Sequence, residues 1–260
     1  MNPSPLGDRS ATSQPFTVSL TFFGDLVFFL KRGGTAPTIQ RVLKERTSVK
    51  DVIEACGVPH PEIDFIIING AAANFSRVLK ENTAIKVYPV GFTYQPFPSP
   101  PLQRRNITRF VADGHLGKLT RNLRLLGFDV ISPTPAEDQR LLEVMQHEAR
   151  ALLTRDRRLL MHAVVRDGFC PRSPYPDEQT VEVIRRFQLS NSISPFSRCL
   201  QCNGALQGVD KTDVMKDLEP LTRVYYERFR RCKECGKIYW RGSHFDKLSA
   251  RIEGFRAQLA

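Results

Sequence analysis

The chain has 260 residues, 41% of them hydrophobic, which is long enough for two or three folded domains with cores of their own. Its 38 lysines and arginines outnumber its 27 aspartates and glutamates, and the formal charge of +11 favours a polyanionic partner such as RNA, DNA or an anionic membrane. No stretch approaches the roughly 18 consecutive apolar residues of a membrane-spanning helix, and residues 1–15 have no apolar signal-peptide core. We therefore expect neither a membrane-spanning segment nor export.

The positive charge is concentrated in the second part of the chain. Residues 1–100 contain 10 basic and 8 acidic side chains, whereas residues 101–260 contain 28 and 19. We expect the second part to contact the polyanion, and the alternative is that the basic side chains only keep the protein soluble.

Two segments of biased composition divide the chain. Residues 1–15 combine Pro, Ser, Gly and polar residues without periodicity, which predicts a disordered tail. Residues 95–101 contain four prolines, which predicts an extended linker. The predicted parts are the tail at 1–15, a domain at 16–93, the linker at 94–105, a domain at 106–196, a metal-binding ribbon at 197–245 and a final helix at 246–260.

The first domain has the pattern of a small sheet around one helix. The predicted elements are a strand at 16–23, a second strand at 26–30 after the hairpin signal Gly24-Asp25, a helix between Ser48 and Gly57, and strands at 64–70 and 84–90. The order ββαββ is typical of the β-grasp fold.

The second domain alternates short apolar strands with helices. The predicted strands are 107–112, 128–132, 151–154 and 168–172, and the predicted helices are 115–126, 137–149, 157–166 and 177–188. This order indicates a parallel α/β sheet with helices on both faces.

Two aspartates directly follow predicted strands of this sheet. Asp113 comes after 107–112, and Asp156 comes two residues after 151–154. Because ligands of open α/β sheets collect beyond the carboxyl ends of the strands, we expect the two carboxylates to lie at one edge. Carboxylates there are suited to Mg²⁺ or Mn²⁺, which activates water and neutralises a phosphate under attack. The pattern thus points to phosphodiester hydrolysis.

Further acids stand at the starts of two predicted helices. Glu137 or Asp138 is a candidate third ligand, and Asp177 or Glu178 is a candidate fourth. The alternative for each acid is that it only caps a helix or complements its dipole. His115 lies in the first turn of a helix and needs no functional explanation.

Basic side chains surround the acids in sequence. As contacts for substrate phosphates we consider Lys118, Arg121, Arg124, Arg155, Arg157 and Arg158. A solvated basic face is the alternative for any one of them.

Four of the six cysteines form two Cys-x-x-Cys pairs. Cys199 and Cys202 are separated by 29 residues from Cys232 and Cys235, a spacing that suits one tetrahedral Zn²⁺. Four sulfur ligands leave no open position, so we expect a structural zinc rather than a catalytic one. A redox dithiol is the alternative, although such a motif has one pair rather than two in tandem. Metal-binding cysteines also favour the reducing cytoplasm.

Basic and aromatic residues flank the second cysteine pair. This set is suited to gripping phosphate and stacking on a base, or else it forms the small core of the ribbon. Its members are Arg230, Arg231, Lys233, Lys237, Tyr239, Trp240 and Arg241.

Several segments resemble a known family. FVADGHLGKLTRNLRLLGFDV (110–130), ALLTRDRRLL (151–160) and the paired Cys-x-x-Cys resemble the Mut-seven C-terminal RNase family, a branch of the PIN-like nucleases. GVPHPEIDFIIING (57–70) and KVYPV (86–90) resemble the ubiquitin-like domain often fused to it. The resemblance implies a PIN-like fold, acids that hold Mg²⁺ or Mn²⁺, and RNA as substrate.

The resemblance also bears on individual residues. Asp113 matches the first acid of the family, Asp156 matches the acid of the Thr-Arg-Asp turn, and Asp138 is preferred over Glu137. The ubiquitin-like domain resembles sulfur carriers, but it continues through Gly91 into the linker instead of ending in Gly-Gly. A docking surface for a protein partner therefore fits it better than a carrier role.

Three functions are compatible with these patterns. The first is a metal-dependent endoribonuclease with Asp113 and Asp156 as ligands and Asp138 and Asp177 as further candidates. The second is a non-catalytic RNA-binding or ribosome-associated adaptor. The third is DNA cleavage at the same site, because the pattern includes no contact to a 2′-hydroxyl.

Overall fold

A computed structural model describes residues 14–30, 37–92, 100–135 and 137–259. The chain divides into two compact units, Met1–Leu102 and Gln103–Ala260. Nearly all of the predicted tail at 1–15 and half of the predicted linker at 94–105 lie outside the described residues. None of the helices in the described parts of the chain is long and apolar enough to cross a lipid bilayer.

The first unit is a five-stranded mixed sheet with one helix. Its elements are β1 (Phe16–Phe22), β2 (Thr38–Leu43), β3 (Thr47–Ser48), α1 (Val49–Ala55), β4 (Ile63–Ile68), β5 (Ala71–Ala73), β6 (Val78–Leu79) and β7 (Thr83–Pro89). The strand order is β2-β1-β7-β4-β5, and only β1 and β7 run parallel, whereas β3 and β6 form a separate pair. The Ser48 hydroxyl caps α1 by accepting a hydrogen bond from the Asp51 amide. This is the predicted β-grasp sheet.

One predicted strand of this unit is wrong. Residues 26–30 do not form the second strand, because Gly24–Phe29 is a 3₁₀ helix and the second strand is Thr38–Leu43. Leu26 and Phe29 are both fully buried. A spacing of three residues places both side chains on one face of a 3₁₀ helix but on opposite faces of a strand. Burial of both therefore selects the helix.

The first part of the second unit alternates strands and helices. Its elements are β8 (Arg109–Ala112), α2 (Gly117–Leu125), β9 (Asp129–Ile131), α3 (Asp138–Glu148), β10 (Ala151–Leu153), α4 (Arg157–Leu160), β11 (Gly168–Phe169) and α5 (Pro176–Phe187). All strands are parallel in the order β11-β10-β8-β9, with crossovers through helices. The predicted parallel α/β sheet is therefore confirmed.

Two elements of this sheet are shorter than the sequence predicts. The strand predicted at 168–172 ends at Phe169, because the prolines that follow remove backbone donors. The helix predicted at 157–166 ends at Leu160, and the chain then turns through a hydrogen bond from the Val165 amide to the His162 carbonyl, which buries Val165.

A small antiparallel sheet follows α5. The remaining elements are β12 (Leu206–Val209), α6 (Lys211–Val214), α7 (Pro220–Tyr225), β13 (Phe229–Cys232), β14 (Ile238–Trp240) and α8 (Ser243–Leu259). The sheet order is β12-β13-β14, and α6 and α7 lie between its first two strands in sequence. Phe229 packs with Val214 and Leu218 in a separate small core. We refer to residues 199–240 as the ribbon.

The helix α8 returns to the core of the parallel sheet. Its Ile252 and Phe255 are buried in one hydrophobic cluster with Phe110 of β8, Leu123 of α2 and Phe187 of α5. The sequence predicted a C-terminal helix at 246–260, and α8 begins three residues earlier, at Ser243.

A buried charge network joins the start of β9 to the start of β10. The Arg150 guanidinium is nearly inaccessible to solvent and donates to the Asp129 carboxylate at 2.7 Å. Asn203 of the ribbon donates to the same carboxylate at 2.7 Å. Partial burial alone would raise the pKa of Asp129, but the hydrogen bonds from Arg150 and Asn203 hold that pKa below its usual value.

We predict that Asp129→Asn lowers the free energy of unfolding at pH 7 by about 1.5–3 kcal/mol, the range for a hydrogen bond to a charged group. Since the folded-state pKa of Asp129 lies below the unfolded value of about 3.9, its stabilisation is present above that value and is lost as the pH falls through the folded pKa. Urea unfolding between pH 7 and pH 3 checks both points.

The control for this prediction is Asp217→Asn, which changes an exposed carboxylate and is expected to alter stability by less than about 0.5 kcal/mol. A stability difference for Asp129→Asn that stays constant from pH 7 to pH 3 would contradict the electrostatic explanation.

Candidate functional site

The Thr154 hydroxyl connects the two predicted aspartates at the carboxyl edge of the parallel sheet. Asp113 directly follows β8, and its Oδ2 accepts a hydrogen bond from Thr154 Oγ1 at 2.8 Å. The same Oγ1 accepts a hydrogen bond from the Asp156 amide at 3.0 Å. Thr154 is fully buried, so this geometry is fixed by the packing around it. The sequence prediction that Asp113 and Asp156 lie at one edge is consistent with this arrangement, although it did not identify Thr154.

Asp156 is the N-cap of α4. Its Oδ1 accepts hydrogen bonds from the amides of Arg158 at 2.7 Å and Leu159 at 3.2 Å. Both bonds fall on Oδ1, so no hydrogen bond in the described structure occupies Oδ2. The capping role and a ligand role for Asp156 are therefore compatible, because each uses a different oxygen.

The two further candidates stand at helix starts on the same edge. Asp138 is exposed in the first turn of α3, which follows β9. Asp177 lies in the first turn of α5, where its Oδ1 accepts a hydrogen bond from Asn122 Nδ2 at 3.0 Å and pairs with Arg251 of α8. Asn122 is buried and also contacts Thr180 Oγ1 at 3.0 Å, so it fixes the start of α5 against α2.

The described carboxylates do not form a closed cage of three ligands. Within the described residues, the only group of three or more His, Cys, Asp or Glu ligand atoms lying within 4.8 Å of one another is the four cysteines. Mg²⁺ is commonly held by one or two carboxylates together with water and substrate phosphates. The half-buried Asp113 and exposed Asp156 fit that open type of site.

Five of the six predicted phosphate-binding side chains are at least partly accessible. Lys118, Arg121, Arg155 and Arg158 are exposed, and Arg157 is half-buried. Lys118 and Arg121 lie on α2, whereas Arg155 and Arg157 lie in the turn around Asp156. The exposed Lys118, Arg121 and Arg155 are accessible to an anionic polymer.

Arg124 is a correction to the predicted set. It is 8% exposed, and its guanidinium donates to the Val130 carbonyl at 2.8 and 2.9 Å and to the Gln201 carbonyl at 2.8 Å. Burial lowers the pKa of Arg124, while the nearby Cys202 and Cys199 sulfurs oppose that shift. Arg124 therefore connects α2 with β9 and the ribbon, and it does not face a phosphate from solvent.

The four cysteine sulfurs are arranged as one metal-binding group. Cys199 Sγ lies 3.7 Å from Cys235 Sγ, and Cys202 Sγ lies 3.4 Å from Cys232 Sγ. Burial would raise the pKa of Cys199, but hydrogen bonds from the Tyr239 hydroxyl and from neighbouring backbone amides lower it to about 6. Four sulfurs this close to one another are suited to hold one cation.

Tyr239 and Gly204 pack directly against the cysteine sulfurs. The Tyr239 hydroxyl lies 3.1 Å from Cys199 Sγ and accepts a hydrogen bond from the Leu200 amide at 3.2 Å. A Cβ at Gly204 would lie 2.7 Å from Cys232 Sγ, which explains the glycine. Of the two roles considered for the residues around the second pair, Tyr239 has the structural one.

Asn203 attaches the ribbon to the parallel sheet. It follows Cys202 with a φ of +74°, and its Oδ1 accepts a hydrogen bond from the Val130 amide at 2.9 Å. Together with Arg124, it fixes the first cysteine pair against the edge strand β9. No sequence pattern predicts this contact, because its partners are 73 residues apart.

The fold and site define a parallel α/β domain of nuclease type with an attached four-cysteine ribbon and a β-grasp unit before it. The family model for the Mut7-C RNAse domain matches residues 108–252, and the model for Mut7-C ubiquitin matches residues 16–94. The first match covers more than half of the chain, so the chain belongs to the Mut7-C RNase family. A comparison with curated proteins gives no match. The resemblance stated from the sequence is confirmed in both parts and in their order.

We predict that Arg124→Lys lowers the free energy of unfolding by about 1.5–3 kcal/mol. The guanidinium donates to the Val130 and Gln201 carbonyls through different nitrogens, whereas lysine has one nitrogen that cannot reach both. Urea denaturation measures the change. The matched control is Arg121→Lys, three residues earlier on the same helix and exposed, with an expected change below about 0.5 kcal/mol. Unchanged stability combined with weaker RNA binding would instead give Arg124 the phosphate-binding role.

Proposed function

We propose that the protein is a metal-dependent endoribonuclease that hydrolyses RNA phosphodiester bonds at the edge marked by Asp113 and Asp156. The observation that carries the proposal is the Thr154 hydroxyl, which links the Asp113 carboxylate with the turn that holds Asp156. Membership in the Mut7-C RNase family supports the nuclease class. Fixed carboxylates beyond the ends of parallel strands are suited to this chemistry.

Asp113 and Asp156 are the proposed ligands for Mg²⁺ or Mn²⁺, and Asp138 and Asp177 are further candidates that act through bound water or on substrate binding. When bound, such a cation lowers the pKa of water and neutralises charge on the phosphate. Thr154 donates to Asp113 Oδ2, and the His115 amide makes a long hydrogen bond of 3.4 Å to Asp113 Oδ1, so the carboxylate is held in one orientation. Asn122 and Arg251 hold Asp177 in a similar way.

Lys118, Arg121, Arg155 and Arg157 are the proposed contacts for the RNA backbone. Lys118 and Arg121 lie on α2, Arg155 lies on the turn before α4, and Arg157 is the first residue of α4. Cationic side chains in these places bind phosphates without reading bases. The net positive charge of residues 101–260 attracts the polymer to this unit.

Zn²⁺ is the proposed occupant of the four-cysteine group, with a structural role. Four thiolates favour a borderline-soft cation over Mg²⁺ and leave no position for substrate. No disulfide joins cysteines in the described residues, which is compatible with the proposed cytoplasmic location. The β-grasp unit is proposed to offer a docking surface for a protein partner.

The second candidate function is a non-catalytic RNA-binding adaptor. It is favoured by one observation, namely that the carboxylates in the described parts of the chain form no group of three ligands. Such a protein binds RNA through the same basic side chains and does not cleave it. Cleavage itself separates the two functions.

We predict that the purified chain cleaves single-stranded RNA with Mn²⁺ or Mg²⁺ and that EDTA abolishes cleavage. Asp113→Asn and Asp156→Asn each reduce the rate by about a hundredfold or more, because a lost ligand removes several kcal/mol of stabilisation and each 1.36 kcal/mol is a factor of ten. Thr154→Val reduces it by about tenfold through the lost hydrogen bond to Asp113. Gel analysis of end-labelled RNA gives the rates.

The control for cleavage is Asp246→Asn, which neutralises an exposed acid in the first turn of α8 and keeps the wild-type rate. Circular dichroism verifies that each variant is folded. Cleavage that survives both aspartate substitutions would reject this site, whereas tight RNA binding without cleavage would favour the adaptor. DNA cleaved as fast as RNA would reject the ribonuclease assignment.

We also predict that the chain binds about one zinc ion, as expected for four tetrahedral ligands, and that Cys235→Ser loses most of it. Elemental analysis of the purified protein measures the metal. Cys56→Ser, in the first unit, is the matched control and retains the zinc. Equal zinc content in both variants would disprove the proposed ligand set.

A further inference from the structure

Tyr175 is an exposed aromatic side chain at the same edge of the sheet as Asp113 and Asp156. It lies in the loop between β11 and α5 and is 64% exposed. A single exposed ring is common on protein surfaces, but a tyrosine also offers a flat face on which a base can stack. Neither the predicted metal site nor the core of the domain uses this residue.

The loop that carries Tyr175 is held by an unusually complete set of hydrogen bonds. The Glu182 carboxylate accepts from the amides of Arg172 at 2.8 Å and Ser173 at 3.1 Å. Ser173 Oγ donates to Glu178 at 2.6 Å and accepts from the Tyr175 amide at 3.0 Å. The loop also contains Pro171 and Pro174, with Pro176 directly after Tyr175. The backbone below the ring is therefore rigid, and binding at the ring orders little additional chain.

The topology places this ring beside the proposed catalytic edge. The Thr154 amide donates to the Phe169 carbonyl at the end of β11. On the other side of the loop, Asn122 Nδ2 donates to the Pro176 carbonyl at 3.3 Å, which connects the loop to the helix that follows Asp113. Adjacent strands are about 4.8 Å apart, so β11 and β8, separated by β10, are about 10 Å apart. Tyr175 follows the end of β11 by six residues, so a few nucleotides of one strand reach from the carboxylates to the loop that carries the ring.

We propose that Tyr175 is a stacking platform for a base of single-stranded RNA next to the phosphate at Asp113 and Asp156. This inference rests on the proposed function in that it takes RNA as the polymer at this edge. Exposed Arg155 and Arg158 in the adjoining turn supply positive charge for the backbone. A rigid aromatic platform beside arginines is the combination that proteins use to bind single strands without sequence preference.

Tyr175 is thus a substrate-binding residue that selects unpaired RNA. A base inside a duplex has its faces covered by its neighbours, whereas an unpaired base offers a face to the ring. The platform places the adjacent phosphate over the carboxylates by fixing the position of one nucleotide. The acidic Glu178 beside it is engaged by Ser173, which holds its carboxylate in the loop.

The first test measures binding in the full chain with Asp113→Asn, so that cleavage does not interfere. The probe is a fluorescein-labelled single-stranded oligoribonucleotide, followed by anisotropy with Mg²⁺ present. Tyr175→Ala weakens binding about 5- to 150-fold, which is the range for loss of one stacked base. Tyr175→Phe and Tyr175→Trp retain the affinity within about twofold because each keeps a stacking ring.

The matched control is Tyr225→Ala on α7, where a tyrosine is 72% exposed but lies in the ribbon. Its affinity for the oligoribonucleotide remains that of the parent. The proposal is overturned if the two alanine variants lose the same affinity for the oligoribonucleotide, or if Tyr175→Ala loses none. It is also overturned if Tyr175→Phe loses as much affinity as Tyr175→Ala.

The second test detects the contact directly. An oligoribonucleotide carrying 5-iodouridine is irradiated with the full chain, and the cross-linked peptide is identified by mass spectrometry. A cross-link at Tyr175 that is lost in Tyr175→Ala supports the platform even where the wild-type chain does not cleave RNA, so the two proposals fail separately. Cross-links confined to Tyr225 or Trp240 would overturn it, as would a preference for duplex RNA.

Discussion

The parallel pairing of β8 with β10 is the constraint on which the second unit depends. In this register Ala112 lies opposite Leu153, so the next residues, Asp113 and Thr154, leave the sheet side by side. The Asp113 amide donates to the Leu153 carbonyl at 3.0 Å, which continues the ladder by one bond beyond the last strand residue. Phe110, Val111 and Ala112 of β8 and all three residues of β10 are buried, so packing on both faces of the sheet holds the strand that ends before Asp113.

The sequence predicted what depends on local pattern. The ends of apolar strands are visible as a change to polar residues, which is why Asp113 and Asp156 were assigned to one edge. The two cysteine pairs were visible through their internal spacing alone. The β-grasp order was predicted in outline because one helix and several alternating strands are themselves local signals.

The features that the sequence did not predict depend on distant partners. Arg124 follows exposed Lys118 and Arg121 on one helix, and only carbonyls of β9 and of the ribbon determine that it is buried. Thr154 has no pattern of its own, because its role arises from a strand 41 residues earlier in the chain. The helix at Gly24–Phe29 was missed for another reason, since three-residue spacing and strand-like composition compete in a short apolar run.

The position of α8 in the fold has a consequence for protein synthesis. Ile252 and Phe255 fill the core of the parallel sheet, yet α8 follows every other element of that core in chain order. A chain that leaves the ribosome from its N-terminus folds domain by domain. The β-grasp unit is complete early, but the sheet domain lacks part of its core until α8 has emerged. The packing around β8 and α2, the two elements on either side of Asp113, is therefore completed last.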